Sequence, residues 1–156
     1  LFTLATTVLP RDVERVGIFG HSMGGHGALV LAQRHPDKFK SVSAFAPIAA
    51  PTRCPWGEKA FTGYLGEDRS QWEQYDASCL MSQQTTAPYP GGILIDQGLA
   101  DQFLERELYP HVFEEACAKV GQPLVLRRHD GYDHGYFFIM TFMGDHIAHH
   151  ARQLGA

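Results

Sequence analysis

The sequence lacks the long apolar runs and basic clusters that would indicate a membrane or a nucleic acid as partner. No apolar stretch approaches the ~18 residues of a membrane span. The 13 Lys and Arg residues are interspersed among 17 Asp and Glu residues, and the formal net charge is -4. A basic face for phosphate backbones is therefore not expected. The first residues also lack the basic start and small-residue cleavage pattern of a signal peptide.

Cysteine is scarce, and no CxxC pair occurs. The chain has only three cysteines, and they are odd in number and widely spaced, a pattern that fits reduced thiols in a cytoplasmic protein better than a disulfide framework. Repeats, low-complexity segments and charge blocks are also absent. A chain of 156 residues with 44% hydrophobic content is expected to form a single continuous unit with a core of its own.

The order of apolar runs and helical patterns predicts an α/β protein with a mostly parallel sheet flanked by helices. Residues 48–91 have the prolines and aromatic residues of a lid or pocket wall rather than of more sheet. The predicted strands are 15–20, 41–47, 93–96 and a run that begins at 123. The first of them is expected to be buried on both faces. The predicted helices run from Met23 until Pro36, over 104–121, and through the C-terminal segment to about Leu154.

The stretch "GHSMG", residues 20–24, lies between a predicted strand and a predicted helix. This is the G-x-S-x-G pattern of a nucleophile elbow, and the context favours the α/β-hydrolase fold. Gly20 and Gly24 would leave no Cβ to clash where strand and helix meet. Ser22 is then the candidate nucleophile, and the backbone N–H of Met23 is the candidate oxyanion donor. The alternative is a glycine-rich turn without chemistry.

A nucleophilic serine needs a histidine base and an orienting acid, which in this fold follow it in the order Ser, Asp, His. After the third predicted strand, Asp96 and Asp101 compete; we favour Asp101 because it lies in the loop, where a side chain can reach a histidine. After the fourth strand, His129 and His134 compete, and His134 lies deeper in the loop. A surface histidine is the alternative interpretation of His134.

Four segments make the chain similar to the S-formylglutathione hydrolases, also called esterase D: "GIFGHSMGGHGALVLA", "KFKSVSAFAPIAAPTRCPWGEKAFTGYLG", "ILIDQGLADQFL" and "GYDHGYFFIMTFMGDHIAHH". The resemblance covers essentially the whole chain. It implies Ser22 as nucleophile, Asp101 as acid and His134 as base. It also implies a cytoplasmic enzyme that hydrolyses S-formylglutathione to formate and glutathione in formaldehyde detoxification, often as a homodimer, with no metal or organic cofactor.

Several other residues have both a functional and a structural interpretation. Trp56 is the candidate wall of a small acyl pocket, with a structural anchor as the alternative. His21 is a second candidate for the pocket, although it is equally placed to support the elbow by packing or hydrogen bonding, as is His26. We expect Cys54 to be a buried, inert thiol. The remaining candidates, which we expect to form a solvated helix face rather than a metal site, are His146, His149 and His150.

The α/β-hydrolase arrangement takes its second oxyanion donor from a loop that follows an early strand. Only residues 1–21 precede Ser22, and residues 1–14 could supply one helix and a turn. We therefore expect residues 1–156 to be the C-terminal portion of a single α/β-hydrolase domain, without its N-terminal strands. The hypotheses are an S-formylglutathione hydrolase, a general short-chain carboxylesterase, or a non-catalytic fragment that acts as an interaction module.

Overall fold

The strands form one parallel sheet in the part of the chain that the computed structural model describes, which is residues 7, 12 and 14–155. The helix and turn predicted for residues 1–14 fall for the most part outside it. The carboxyl ends of all the strands meet at one edge because every neighbouring pair is parallel. The order is β1-β2-β3-β4, with β1 Gly17–His21, β2 Ser41–Phe45, β3 Ile93–Gly98 and β4 Leu124–His129.

Burial differs between the inner and the outer strands. Every residue of β2 and β3 is buried, as expected for strands covered by helices on both faces. The prediction that the first strand is buried on both faces is wrong, because Phe19 in β1 is 48% exposed. Within the described residues β1 pairs only with β2, so it lies at the edge of the sheet. Val125 in β4, the opposite edge, is 55% exposed.

Helices cover both faces of the sheet and fill the segment between β2 and β3. As predicted, the first helix ends before Pro36, and no residue described in 48–91 forms a strand. That segment instead contains three helices and two 3₁₀ turns, at Pro51–Arg53 and Glu73–Tyr75. The helices are α1 Met23–Arg34, α2 Pro55–Leu65, α3 Arg69–Trp72, α4 Ala77–Ser82, α5 Pro110–Val120 and α6 Tyr136–Leu154.

The single helix predicted over 104–121 is wrong. The chain forms a short π-helix at Leu104–Leu108 and then α5, and between them Tyr109 has φ 48° and ψ 49°. Pro110 explains the break, because its ring disfavours the α conformation at the preceding residue and it has no N–H to donate. The two pieces can consequently point in different directions, and the π-helix lies beside the site described below.

The core has two parts. The larger cluster packs α1, α4 and α5 against the sheet and includes Leu29, Met81, Ile95 and Phe113. The smaller one contains Phe45, Ile48, Leu108 and Phe138, which come from the end of β2, the segment after it, the π-helix and the first turn of α6. The smaller cluster therefore supports the loops at the carboxyl edge. None of the described helices is both long and apolar enough to cross a membrane.

Candidate active site

Ser22 lies in a strained turn between β1 and α1. Its φ is 57° and its ψ is -116°, a region that residues with a side chain rarely adopt. Three backbone hydrogen bonds hold it there: the N–H of Ser22 donates to Phe45 O at 2.9 Å, and Ser22 O accepts from His26 N at 3.0 Å and from Ile48 N at 3.2 Å. The turn is thus fixed both to β2 and to the first turn of α1.

The glycines beside Ser22 do not contribute equally to this turn. A Cβ on Gly20 would lie 2.2 Å from the carbonyl oxygen of Gly24, so only glycine fits at position 20. The expectation that Gly24 also avoids a clash is wrong, because a Cβ there would have nothing within 4 Å. The second constraint falls on Gly25, whose Cβ would lie 3.1 Å from Gly20 O and 3.1 Å from Pro47 Cβ.

Asp101 binds His134 in the loops that follow β3 and β4. The Oδ2 of Asp101 lies 2.6 Å from His134 Nδ1 and accepts from Gln97 Nε2 at 3.2 Å, while Oδ1 accepts from Phe103 N at 2.9 Å. Burial by itself would raise the pKa of Asp101, but the bonds from His134 and Phe103 outweigh it and hold the pKa below its usual value. A carboxylate only accepts, so Nδ1 carries the proton and Nε2 is left to accept one.

The competing candidates, Asp96 and His129, bind each other. Asp96 is fully buried, and it accepts two bonds of 2.6 Å from Arg127, one of 3.0 Å from His146 and one of 3.1 Å from His129. The His129 ring stacks on Phe142 at 3.8 Å. These contacts lie between the sheet and α6, so neither residue is available to orient His134 or to accept a proton from Ser22.

Ser22 and His134 line one pocket of about 270 Å³. Trp56 is among its lining residues, and Met23 begins α1, where backbone N–H groups have no carbonyl partner within the helix. Apart from these residues the lining is mostly apolar. The remaining lining residues are Ile48, Phe103, Glu107 and Leu108.

His21 lies behind the base and is not among the residues that line the pocket. Its ring centroid is 4.4 Å from that of His134. Burial and the neighbouring His134 lower the pKa of His21, so His21 is held neutral against the base. The Nε2 atoms of His21 and His26 are both buried and have no hydrogen-bond partner among the described residues. This geometry favours the supporting interpretation of His21 over a place in the pocket wall.

The sequence analysis missed several residues of the site, among them Gln97, Phe103 and Glu107. Phe103 N bonds the carboxylate two residues earlier, which is a common local pattern for Asp and could have been anticipated. The ring of Phe103 also packs edge-on against His134 at 5.0 Å. Gln97 and Glu107 give no local signal, because their partners depend on how the strand and the π-helix are oriented.

The expected solvated face of the last helix is wrong. His146 is fully buried and His149 nearly so, because this face of α6 packs on the sheet, where serine hydroxyls and Asp96 provide partners. No set of three His, Cys, Asp or Glu residues suited to a metal ion occurs in the described part of the chain. Cys54 is buried, as expected, and burial raises the pKa of its thiol to about 11.

Comparisons with known proteins place these features in a family. The Esterase family model matches residues 1–149. The S-formylglutathione hydrolase of Arabidopsis thaliana is 57% identical over 143 residues, which are 92% of this chain and 50% of that protein. The S-formylglutathione hydrolase of Rattus norvegicus is 54% identical over 148 residues, 94% of this chain and 52% of that protein. The chain thus spans about half the length of the curated relatives it matches.

Solved structures agree with this assignment. An S-formylglutathione hydrolase from Agrobacterium tumefaciens matches with a TM-score of 0.93 and 50% identity, covering 98% of this chain and 54% of that one. A ferulic acid esterase matches with a TM-score of 0.72 at 19% identity, covering 98% of this chain and 57% of that one, which shows the fold alone. The α/β-hydrolase fold and the resemblance noted in the sequence are confirmed, and the chain belongs to the esterase family.

Proposed function

We propose that this chain carries the active site of a serine hydrolase that cleaves S-formylglutathione to formate and glutathione. The observation that carries the proposal is one pocket lined both by Ser22, in its strained turn, and by His134, whose Nδ1 is bound to the buried carboxylate of Asp101. The names of the relatives at 51–57% identity support the choice of substrate. In this proposal Ser22 is the nucleophile, His134 the base and Asp101 the acid.

In the first half of the reaction Ser22 Oγ attacks the formyl carbon while His134 Nε2 takes the hydroxyl proton. Asp101 holds the proton on Nδ1 and stabilises the imidazolium that forms. The backbone N–H of Met23, at the N-terminus of α1, faces the developing oxyanion. When the carbon–sulfur bond breaks, the glutathione thiolate leaves and receives the proton, and a formyl ester remains on Ser22.

In the second half a water attacks the formyl ester and gives a proton to His134 Nε2. The bond between carbon and Ser22 Oγ then breaks, Oγ recovers the proton, and formate is released together with a proton to solvent. A thiol has a pKa near ~8.5, so its expulsion in the first half needs less help from an acid than an amine would need. Activation of water is therefore the greater demand on His134.

Further features of the proposal follow the resemblance. Trp56 lines the pocket, and we assign it to the wall that limits the length of the acyl group. The three free cysteines, two of them buried, are compatible with a reducing compartment and support a cytoplasmic enzyme. The resemblance alone supports a homodimer, a reaction without metal or organic cofactor, and the assignment of residues 1–156 to the C-terminal portion of one domain.

Substitution of the nucleophile and the base tests the proposal. In the protein that carries this chain, Ser22→Ala and His134→Ala are each expected to lower kcat for S-formylglutathione by about 10⁴-fold or more, and the double variant should be no worse, because the residues act as one unit. Hydrolysis is measured as release of free thiol. The matched control is His111→Ala, an exposed histidine outside the pocket. A Ser22→Ala protein with most of its turnover would contradict the proposal.

A further inference from the structure

We propose that Glu107 determines acyl specificity by charge, because its carboxylate excludes acyl groups that carry a negative charge of their own. This inference rests on the proposed function and extends it from the length of the acyl group to its charge. Among the described residues that line the pocket with Ser22 and His134, Glu107 is the only Asp or Glu. None of the catalytic roles proposed above belongs to Glu107, so those roles do not explain why a carboxylate lines the pocket.

The carboxylate of Glu107 is held in a fixed position. Its Oε2 accepts a hydrogen bond of 2.9 Å from the backbone N–H of Trp56, in the first turn of α2, where the helix dipole favours a negative charge. The π-helix that carries it is anchored on both sides: Glu107 N donates to Phe103 O at 2.9 Å, and Leu108 O accepts from Ala49 N at 2.8 Å. The position of the charge relative to Trp56 is therefore set by the fold.

No Lys, Arg or His side chain forms an ion pair with the Glu107 carboxylate within residues 14–155. Its neighbours in the pocket wall are apolar, namely Ile48, Phe103 and Leu108, and such a surface screens charges less well than water does. An anion bound in this pocket would therefore be repelled by Glu107 more strongly than at the same distance in water.

The size of the pocket makes the repulsion unavoidable. A volume of about 270 Å³ corresponds to a space roughly 8 Å across, which is no longer than the Debye length of ~8 Å at physiological ionic strength. A second carboxylate seated on the acyl side must therefore lie within the range of Glu107. At such distances repulsion between like charges is expected to lower kcat/KM by about tenfold to a hundredfold. The formate product is disfavoured in the same way, which aids its release.

The test compares two 4-nitrophenyl esters with acyl chains of four carbons, the neutral butyrate and the anionic hemisuccinate, in the protein that carries this chain. Glu107→Gln keeps a carbonyl oxygen for the Trp56 N–H and removes only the charge. We expect it to raise the hemisuccinate-to-butyrate ratio of kcat/KM by about tenfold to a hundredfold and to strengthen inhibition by formate. Glu105→Gln, an exposed position on the same π-helix outside the pocket, should leave both unchanged.

A measurement on the unmodified protein keeps the test independent of how the variant folds. Raising the salt concentration should increase kcat/KM for the hemisuccinate and leave the butyrate value unchanged, because salt screens the repulsion. If butyrate is hydrolysed but salt does not raise kcat/KM for the hemisuccinate, or if a folded Glu107→Gln protein has an unchanged ratio, the inference alone is overturned. Failure to hydrolyse the butyrate ester and S-formylglutathione overturns the proposed function and this inference with it.

Discussion

Asp96 lies near the end of β3 and Asp101 lies in the loop that follows it. The two carboxylates are close in sequence, but they bind different partners. Burial by itself would raise the pKa of Asp96, but hydrogen bonds from His146, Arg127 and His129 outweigh it and hold the pKa well below its usual range. Asp101 instead binds His134, the proposed base. The first carboxylate therefore joins α6 to the sheet, and the second belongs to the proposed site.

Substitution by asparagine should separate these two tasks. Asp101→Asn is expected to leave the free energy of unfolding nearly unchanged and to lower kcat by about 10⁴-fold, because it favours the wrong tautomer of His134. Asp96→Asn should cost about 3 kcal/mol of stability, since it removes the buried charge that accepts hydrogen bonds from Arg127, His129 and His146, while the activity per folded molecule is retained. Denaturant unfolding and kcat, measured on both variants, check this; the reverse pattern would show that Asp96 is the acid.

At the scale of elements, Gly20 is the most tightly constrained glycine at the junction of β1 and α1. Gly20→Ala places a Cβ 2.2 Å from the carbonyl oxygen of Gly24, so the turn must open. We expect a loss of about 3 kcal/mol of stability and of nearly all activity, because Ser22 leaves its position. Unfolding curves and turnover of the same short-chain ester measure both effects.

Gly24→Ala is the matched control for that junction, because it makes the same substitution in the same motif. The added Cβ meets open space, and alanine is the better helix former by about 0.5–1 kcal/mol. The variant should therefore be as stable as the unmodified protein or slightly more so, with its activity retained. Equal damage from the two substitutions would contradict the geometry of the elbow.

Elements with a strong local pattern could be predicted from the sequence, and contacts between distant elements could not. The β2 and β3 strands are continuous apolar runs, and their burial follows from that pattern alone. The exposure of Phe19 depends on which strands lie beside β1, which no local pattern reports. The break at Tyr109 was signalled by Pro110, but the periodicity on either side of it suggested one helix.

The candidate site divides in the same way. Ser22, Asp101 and His134 could be proposed from loop positions and chain order, because parallel strands bring their carboxyl ends to one edge. Gln97 and Glu107 could not, since their contacts depend on side-chain direction. The sequence pattern predicts a solvated face for the histidines of α6, because their partners Ser41 and Ser43 lie about a hundred residues away in sequence.

At the scale of the whole molecule, α6 is joined to the sheet by a chain of buried and partly buried hydrogen bonds. His150 Nδ1 lies 2.5 Å from Ser41 Oγ and its Nε2 lies 2.9 Å from Ser43 Oγ. Ser43 Oγ lies 2.8 Å from His146 Nδ1, and His146 Nε2 donates to Asp96 at 3.0 Å. The neutral forms of His150 and His146 fit these hydrogen bonds, because each ring accepts a hydrogen bond from a serine hydroxyl at Nδ1 and donates one from Nε2.

This arrangement predicts a loss of stability in mild acid. Burial, then the neighbouring His149 and His146, lower the pKa of His150 from 6.5 to about 4. Below pH 6.5 the unfolded chain therefore binds a proton that the folded chain does not, so the contribution of His150 falls as the pH drops and levels off near 4. The lowered pKa of Asp96 acts in a separate window: its contribution is complete above an unfolded pKa of about 3.9 and is lost below it.

His150→Gln isolates the first window, because glutamine can still bond the serines and does not titrate. Between pH 7 and 4.5 the unmodified protein should lose about 2 kcal/mol more of its free energy of unfolding than the variant, after allowance for partial solvent screening. Below pH 4 both should lose stability in parallel, because Asp96 is present in each. Urea unfolding at pH 7, 5.5 and 4.5 measures the difference, and His111→Gln at an exposed histidine should follow the unmodified protein. Parallel curves for His150→Gln and the unmodified protein between pH 7 and 4.5 would show that His150 already binds its proton in the folded state.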